Sequence, residues 1–147
     1  MIRGLTFKVP NKHGSILYDI LQDIEVQKYT WKIDEEEIYI KDESLFPNDI
    51  VDGIEFEKRI MYPSYYVIFV NLQAYAVYSD FNDINSYEDF TKSECEILIL
   101  VTDSIFVDVY VKDIKIIERI KSNAIKNNFS EINYISEKND RNYFKAM

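Results

Sequence analysis

Residues 97–111 constrain the fold more than any other stretch: ILILV, a break at Thr102, Asp103 and Ser104, then IFVDVYV. The first run is apolar at every position, so as a strand it needs cover on both faces. The second alternates Ile105, Val107, Val109 and Val111 with Phe106, Asp108 and Tyr110, so one of its faces is apolar and the other mixed. Two such runs across a short polar break predict a β-hairpin. With a two-residue turn at Asp103 and Ser104, Ile97 faces Tyr110, Ile99 faces Asp108 and Val101 faces Phe106. Leu98, Leu100, Val107 and Val109 then form the core face, and Ile97, Ile99, Phe106, Asp108 and Tyr110 the ambiguous one. A three-residue turn swaps the facing pairs, because a one-residue slip inverts every side chain.

The rest of the chain reads as strands and helices around that hairpin. Ile2 to Val9 alternates as a strand and stops at Pro10. Asn11 or Ser15 can start the helix that follows, whose stripe is Ile16, Leu17, Ile20, Leu21 and Ile24. Tyr29–Ile33 and Glu37–Lys41 are expected to form a second hairpin, turning at the acidic run Asp34, Glu35 and Glu36. Ile54–Met61 reads as a short helix, Tyr65–Tyr78 as a long central strand, and Tyr87–Phe90 as one helical turn capped by Ser86. Asp113–Asn127 carries the stripe Ile116, Ile117, Ile120 and Ala124, and Glu131–Ile135 is a last strand. Residues 136–147 read as a polar tail prone to fraying. The expectation is one α+β domain over residues 1–147, with a mainly antiparallel sheet of about six to seven strands and two main amphipathic helices.

Composition sets the class. At 147 residues with 15% aromatics, chiefly 12 Tyr and 9 Phe, the chain can bury roughly 70% of its unfolded surface without a metal or disulfide staple. One cysteine cannot close an intrachain disulfide, and the N-terminal MIRGLTFKVP lacks the apolar core of a signal peptide. No run approaches the ~18 apolar residues of a membrane helix. These features point to a cytoplasmic protein away from membranes. The net charge is −9, with one basic and eight acidic residues between 61 and 110. Such a balance repels phosphate backbones and argues against nucleic acid as a partner. Residues 111–147 carry eight basic and five acidic side chains, and packing against the acidic middle offsets that excess.

Residues able to carry chemistry are few. His13, the one histidine, sits in Asn11-Lys12-His13-Gly14 at a helix start, where backbone N–H groups can face an anion. The stretch lacks a phosphate-cradling glycine pattern and reads first as an exposed helix start. Cys95 lies between Glu94 and Glu96, which disfavour a thiolate. One His and one Cys cannot build a zinc site. Counting a calcium loop from Asp80 puts Asn85 where Gly belongs and Thr91 where the bidentate Glu belongs. No metal or cofactor is therefore expected. Trp31 beside Tyr29 can stack a ligand, although core packing is the simpler reading. Asp108 between Phe106 and Tyr110 is the oddest carboxylate: covered, it would be a candidate acid or ligand hook; open, an ordinary charge on a wet sheet.

The segments RGLTFKVPNKHGSILYDIL, YTWKI, YYVIFVNLQAY and ECEILILVTDSIFVDVYVKD together resemble an uncharacterised family of small proteins from Gram-positive, spore-forming bacteria, labelled domain of unknown function 2691. The resemblance spans most of the chain. It implies a cytosolic bacterial domain with no assigned activity, and so supplies no functional residues.

With no complete catalytic set, the leading expectation is a non-enzymatic module that binds a protein partner or itself as a homo-oligomer. One alternative is a small-ligand or carboxylate-based enzyme domain around Asp108, with Tyr110 and Phe106 alongside it. A further one is an immunity- or antitoxin-like protein whose acidic middle segment binds a basic partner.

Overall fold

The computed structural model describes residues 1–77, 79–140 and 144. In chain order the elements are β1 (Gly4–Lys8), α1 (Ile16–Leu21), a 3-10 turn (Val26–Lys28), β2 (Tyr29–Tyr39), β3 (Ile50–Asp52), α2 (Gly53–Ile60), β4 (Tyr66–Ala76), α3 (Tyr87–Lys92), β5 (Cys95–Thr102), β6 (Phe106–Val111), α4 (Ile114–Lys126) and β7 (Ser130–Ile135). The seven strands form one sheet in the order β3-β2-β4-β5-β6-β1-β7. Every neighbouring pair is antiparallel. The fold is α+β, as the pattern of elements predicts, and the fully apolar run is its middle strand.

The helices α1, α2 and α4 lie on one face of the sheet. Leu5 and Phe7 of β1, Trp31 and Ile33 of β2, Val70, Leu72 and Ala74 of β4, Ile97, Ile99 and Val101 of β5, and Val107, Val109 and Val111 of β6 meet Leu17, Ile20, Phe56, Ile60, Ile117 and Ile120 there. Trp31 is fully buried and stacks on Phe56 with ring centroids 4.0 Å apart. Its indole N–H donates to the Val26 carbonyl at 2.9 Å, satisfying the one polar atom that burial would otherwise leave unpaired.

Asn123 is the polar tie between the helices. Only 3% exposed, its Nδ2 donates to the carbonyls of Ile20 at 2.9 Å and Gln22 at 2.8 Å. It thereby pairs carbonyls that the end of α1 leaves without an intrahelical donor. α1 is shorter than the three turns its apolar stripe suggests. The chain leaves the helix at Gln22, Asp23 takes a left-handed φ of 66°, and Ile24 reaches the core from the loop beyond.

Two expectations fail for physical reasons. The turn between β5 and β6 holds three residues, Asp103 and Ser104 both left-handed (φ 50° and 68°) with Ile105 after them. Ile97 therefore pairs with Val111, Leu98 with Tyr110 and Leu100 with Asp108. The core face is Ile97, Ile99, Val101, Val107, Val109 and Val111, and it is Leu98 and Leu100 that share a face with Asp108 and Tyr110. The second failure is the hairpin at Tyr29–Lys41. The acidic run is not a turn: β2 continues through Asp34–Glu37 as one eleven-residue strand paired with β4, with irregularities after Ile33 and after Glu37. On its other side β3 pairs only with Thr30, Trp31 and Lys32, so the run lies on an open edge, with Asp34 and Glu36 exposed and Glu35 and Glu37 half-buried, where the strand can carry its charges.

Two substitutions probe this core. Trp31→Ala is expected to cost about 3–5 kcal/mol in urea unfolding, the loss typical of a buried aromatic. Asn123→Ala is expected to cost about 1–3 kcal/mol, because the buried Ile20 carbonyl and the part-buried Gln22 carbonyl lose their donor.

Candidate functional site

The face of the sheet opposite the long helices holds most of the chemistry the chain offers. Register puts Gly4, Thr6 and Lys8 of β1, Phe106, Asp108 and Tyr110 of β6, Leu98, Leu100 and Thr102 of β5, Asn71, Gln73 and Tyr75 of β4, and Lys32, Glu35 and Glu37 of β2 on this side. The face has a covered half and an open half.

The covered half is closed by the chain itself. Tyr75, Cys95, Leu98, Leu100 and Tyr110 pack against Ile84, Phe90, Ile135 and Phe144. α3 is set by Ser86, whose Oγ accepts from the Asp89 N–H at 3.1 Å, and it presents Phe90 to the sheet. The segment before it, holding Asp80, Asn82, Asp83 and Asn85, runs over β4: the Tyr75 hydroxyl reaches the Asn82 carbonyl at 3.5 Å. Beneath it a polar string runs down β4, from the Tyr75 hydroxyl to Gln73 Oε1 at 2.8 Å and from Gln73 Nε2 to Asn71 Oδ1 at 3.2 Å. Gln73 and Asn71 are buried, and burial pushes the Tyr75 hydroxyl pKa well above its ordinary value.

The open half lies toward the other end of the strands. Asp108 is half-buried and accepts from the Thr6 hydroxyl at 2.7 Å. Phe106 is 42% exposed, with the Lys8 ammonium 5.2 Å from its ring centroid. Phe69 is half-buried beside Glu37, its partner across the β2–β4 ladder.

The five residues singled out in the sequence do not converge. Asp108, Tyr110 and Phe106 share one strand face, but Tyr110 is buried and its hydroxyl donates to Asp140. Trp31 lies on the opposite face of the sheet, its ring covered by Phe56 and Tyr29, so it has no surface to offer a ligand. His13 is exposed, stacks on Tyr66 at 5.2 Å, and borders a separate depression of about 480 Å³ with Tyr39, Ile40, Lys41 and Ser64. Lys112, the next basic residue along the chain, donates to the Ser93 carbonyl and lies over Phe90.

The structure adds residues that the sequence reading passed over. Arg3 Nη1 donates to Asp140 Oδ2 at 2.8 Å, and the Asp140 side chain is only 3% exposed. The Asp140 bond raises the Arg3 pKa. The Arg3 guanidinium sits 4.2 Å from the Tyr87 ring centroid. Phe144 is buried against Tyr110, ring centroids 4.4 Å apart. Of the tail, residues 141–143 and 145–147 lie outside the described residues. Only the aromatic character of Phe144 could have signalled that this polar segment packs.

Cys95 is fully buried, and burial, more than any neighbour, pushes its thiol up to about 12. A thiolate-selective reagent at neutral pH should therefore leave Cys95 unmodified in the folded protein and label it once denaturant unfolds the chain. Mass spectrometry of the adduct checks this.

An uncharacterised protein of Bacillus subtilis (strain 168), YncE, is 36% identical over 146 residues, covering 95% of this chain and 95% of the relative. No solved structure matches. The family model described as protein of unknown function (DUF2691) matches residues 2–145, and the chain belongs to that family.

Proposed function

We propose that the chain is a non-enzymatic protein-interaction module that takes a basic, extended segment of a partner along the free edge of β2. The observation that carries this reading is the edge itself. β3 stops after covering Thr30, Trp31 and Lys32, and the Ile33 N–H is taken by the Asp49 carbonyl at 2.7 Å. From Asp34 to Tyr39, β2 pairs with β4, and among the described residues no strand pairs with its other side. An uncovered edge offers backbone donors and acceptors to an added strand.

Four successive carboxylates, Asp34 to Glu37, line that edge. They oppose pairing with a second copy, which would set carboxylates against carboxylates, and favour a partner bearing lysine or arginine. Glu35 and Glu37 also border the open half of the second face, where Phe69 and Phe106 provide apolar surface. This reading keeps the basic partner of the immunity-like alternative and moves its docking site from the acidic middle segment to β2. The enzyme reading around Asp108 has less support, because its carboxylate is engaged by the Thr6 hydroxyl and the Tyr110 hydroxyl by Asp140.

A labelled extended peptide of alternating lysine and valine tests the proposal against the same peptide with glutamate in place of lysine. Neutralising the edge (D34N/E35Q/E36Q/E37Q) removes four exposed charge pairs worth about 0.5 kcal/mol each, so affinity for the lysine peptide should fall about 30-fold. Neutralising Glu57, Asp83, Glu88 and Glu96 instead should leave affinity nearly unchanged. Equal binding of the two peptides, or equal losses from the two sets of substitutions, contradicts the reading.

A further inference from the structure

The C-terminal segment meets the covered half of the second face as a ligand meets a receptor. Its two anchors, Asp140 and Phe144, are four residues apart. The Asp140 carboxylate is held by Arg3 Nη1 at 2.8 Å and by the Tyr110 hydroxyl. The Phe144 ring enters an apolar slot with Tyr110, Phe90, Ile84 and Leu98 in the same cluster. Its N–H donates to the Asn85 carbonyl at 2.7 Å, so backbone as well as side chain is read.

None of these receptor groups belongs to the tail. Arg3 precedes β1, Ile84 to Phe90 come from the α3 segment, and Leu98 and Tyr110 from β5 and β6. Tyr110 serves both anchors, its hydroxyl for the acid and its ring for the phenylalanine. Arg3 is held over the Tyr87 ring, which fixes the guanidinium beside the slot. A part-buried charge pair next to an aromatic in a pocket is the arrangement that concentrates binding energy in a few residues. The connection is compact: between β7 and Asp140 the chain makes a turn in which Asn139 Oδ1 accepts the Ser136 N–H at 2.7 Å and its Nδ2 donates to the Tyr134 carbonyl at 3.0 Å.

We propose that this slot is a recognition site for a peptide carrying an aspartate and, four residues later, a phenylalanine. The chain's own Asp140 and Phe144 fill it in cis, and a partner segment with the same two anchors competes for it. The site is separate from the β2 edge, so the failure of either proposal leaves the other standing.

The test uses the full chain and a labelled synthetic peptide of residues 137–147. Occupation by the attached tail weakens binding of a free peptide to the wild-type protein, since an attached segment acts at a high effective concentration. In D140N/F144A the tail loses both anchors and the slot is vacated, so the peptide should bind at least about tenfold more tightly than to wild type. Arg3→Gln added to that variant should abolish the gain, as should the same two substitutions placed in the peptide. If D140N/F144A loses its thermal unfolding transition, F144A alone takes its place. Equal peptide affinity for wild type and a folded anchor variant, or no binding to that variant, overturns the proposal.

Discussion

The structure depends on β5 being apolar on both faces. A strand of Ile97, Leu98, Ile99, Leu100 and Val101 cannot sit at an edge or face water on either side without exposing several large side chains, each worth about 1.5–3 kcal/mol when buried. It becomes the middle strand, and the chain must supply a layer on each side of it. Three helices provide one. The other is assembled from a loop, α3 and Phe144.

The two layers differ in kind, and the proposed binding surfaces rest on that difference. The helix layer is largely apolar, tied by Trp31, Phe56 and Asn123. The second layer covers only the half of the sheet around Tyr110 and Leu98. It relies on side chains from separate segments meeting over β6, and one of those segments is the end of the chain. A cover made this way leaves an open half beside an acidic strand edge, and it includes the segment whose exchange is proposed above. The proposed interaction site along β2 and the proposed Asp140–Phe144 slot both follow from this arrangement of cover.

Much of this was legible in the sequence because the strongest periodicities were right. The apolar runs gave β4, β5 and β6, the stripe at Ile117, Ile120 and Ala124 gave α4, and Ser86 marked the start of α3. What was not legible depended on single residues or on tertiary context. One extra residue in the Asp103–Ser104 turn, Ile105, reversed which side of β5 accompanies Asp108. The Asp34–Glu37 run looks like a loop by composition, yet an edge strand keeps carboxylates solvated, and β3 is too short to cover them. Phe144 lies in a polar tail, where neither period nor neighbours suggest burial. Among the candidate site residues, Asp108, Phe106 and Tyr110 were correctly grouped on one strand face. Trp31 and His13 belong elsewhere, because strand order decides proximity and one sequence does not specify it.

Native-state hydrogen exchange tests the two-sided cover most directly. If both faces of β5 are sealed by the chain, the amides of Leu98, Ile99 and Leu100 exchange only through global unfolding, with opening free energies equal to the stability measured by denaturant. Exchange of these amides through a smaller local opening, at denaturant concentrations well below the unfolding midpoint, would contradict the account.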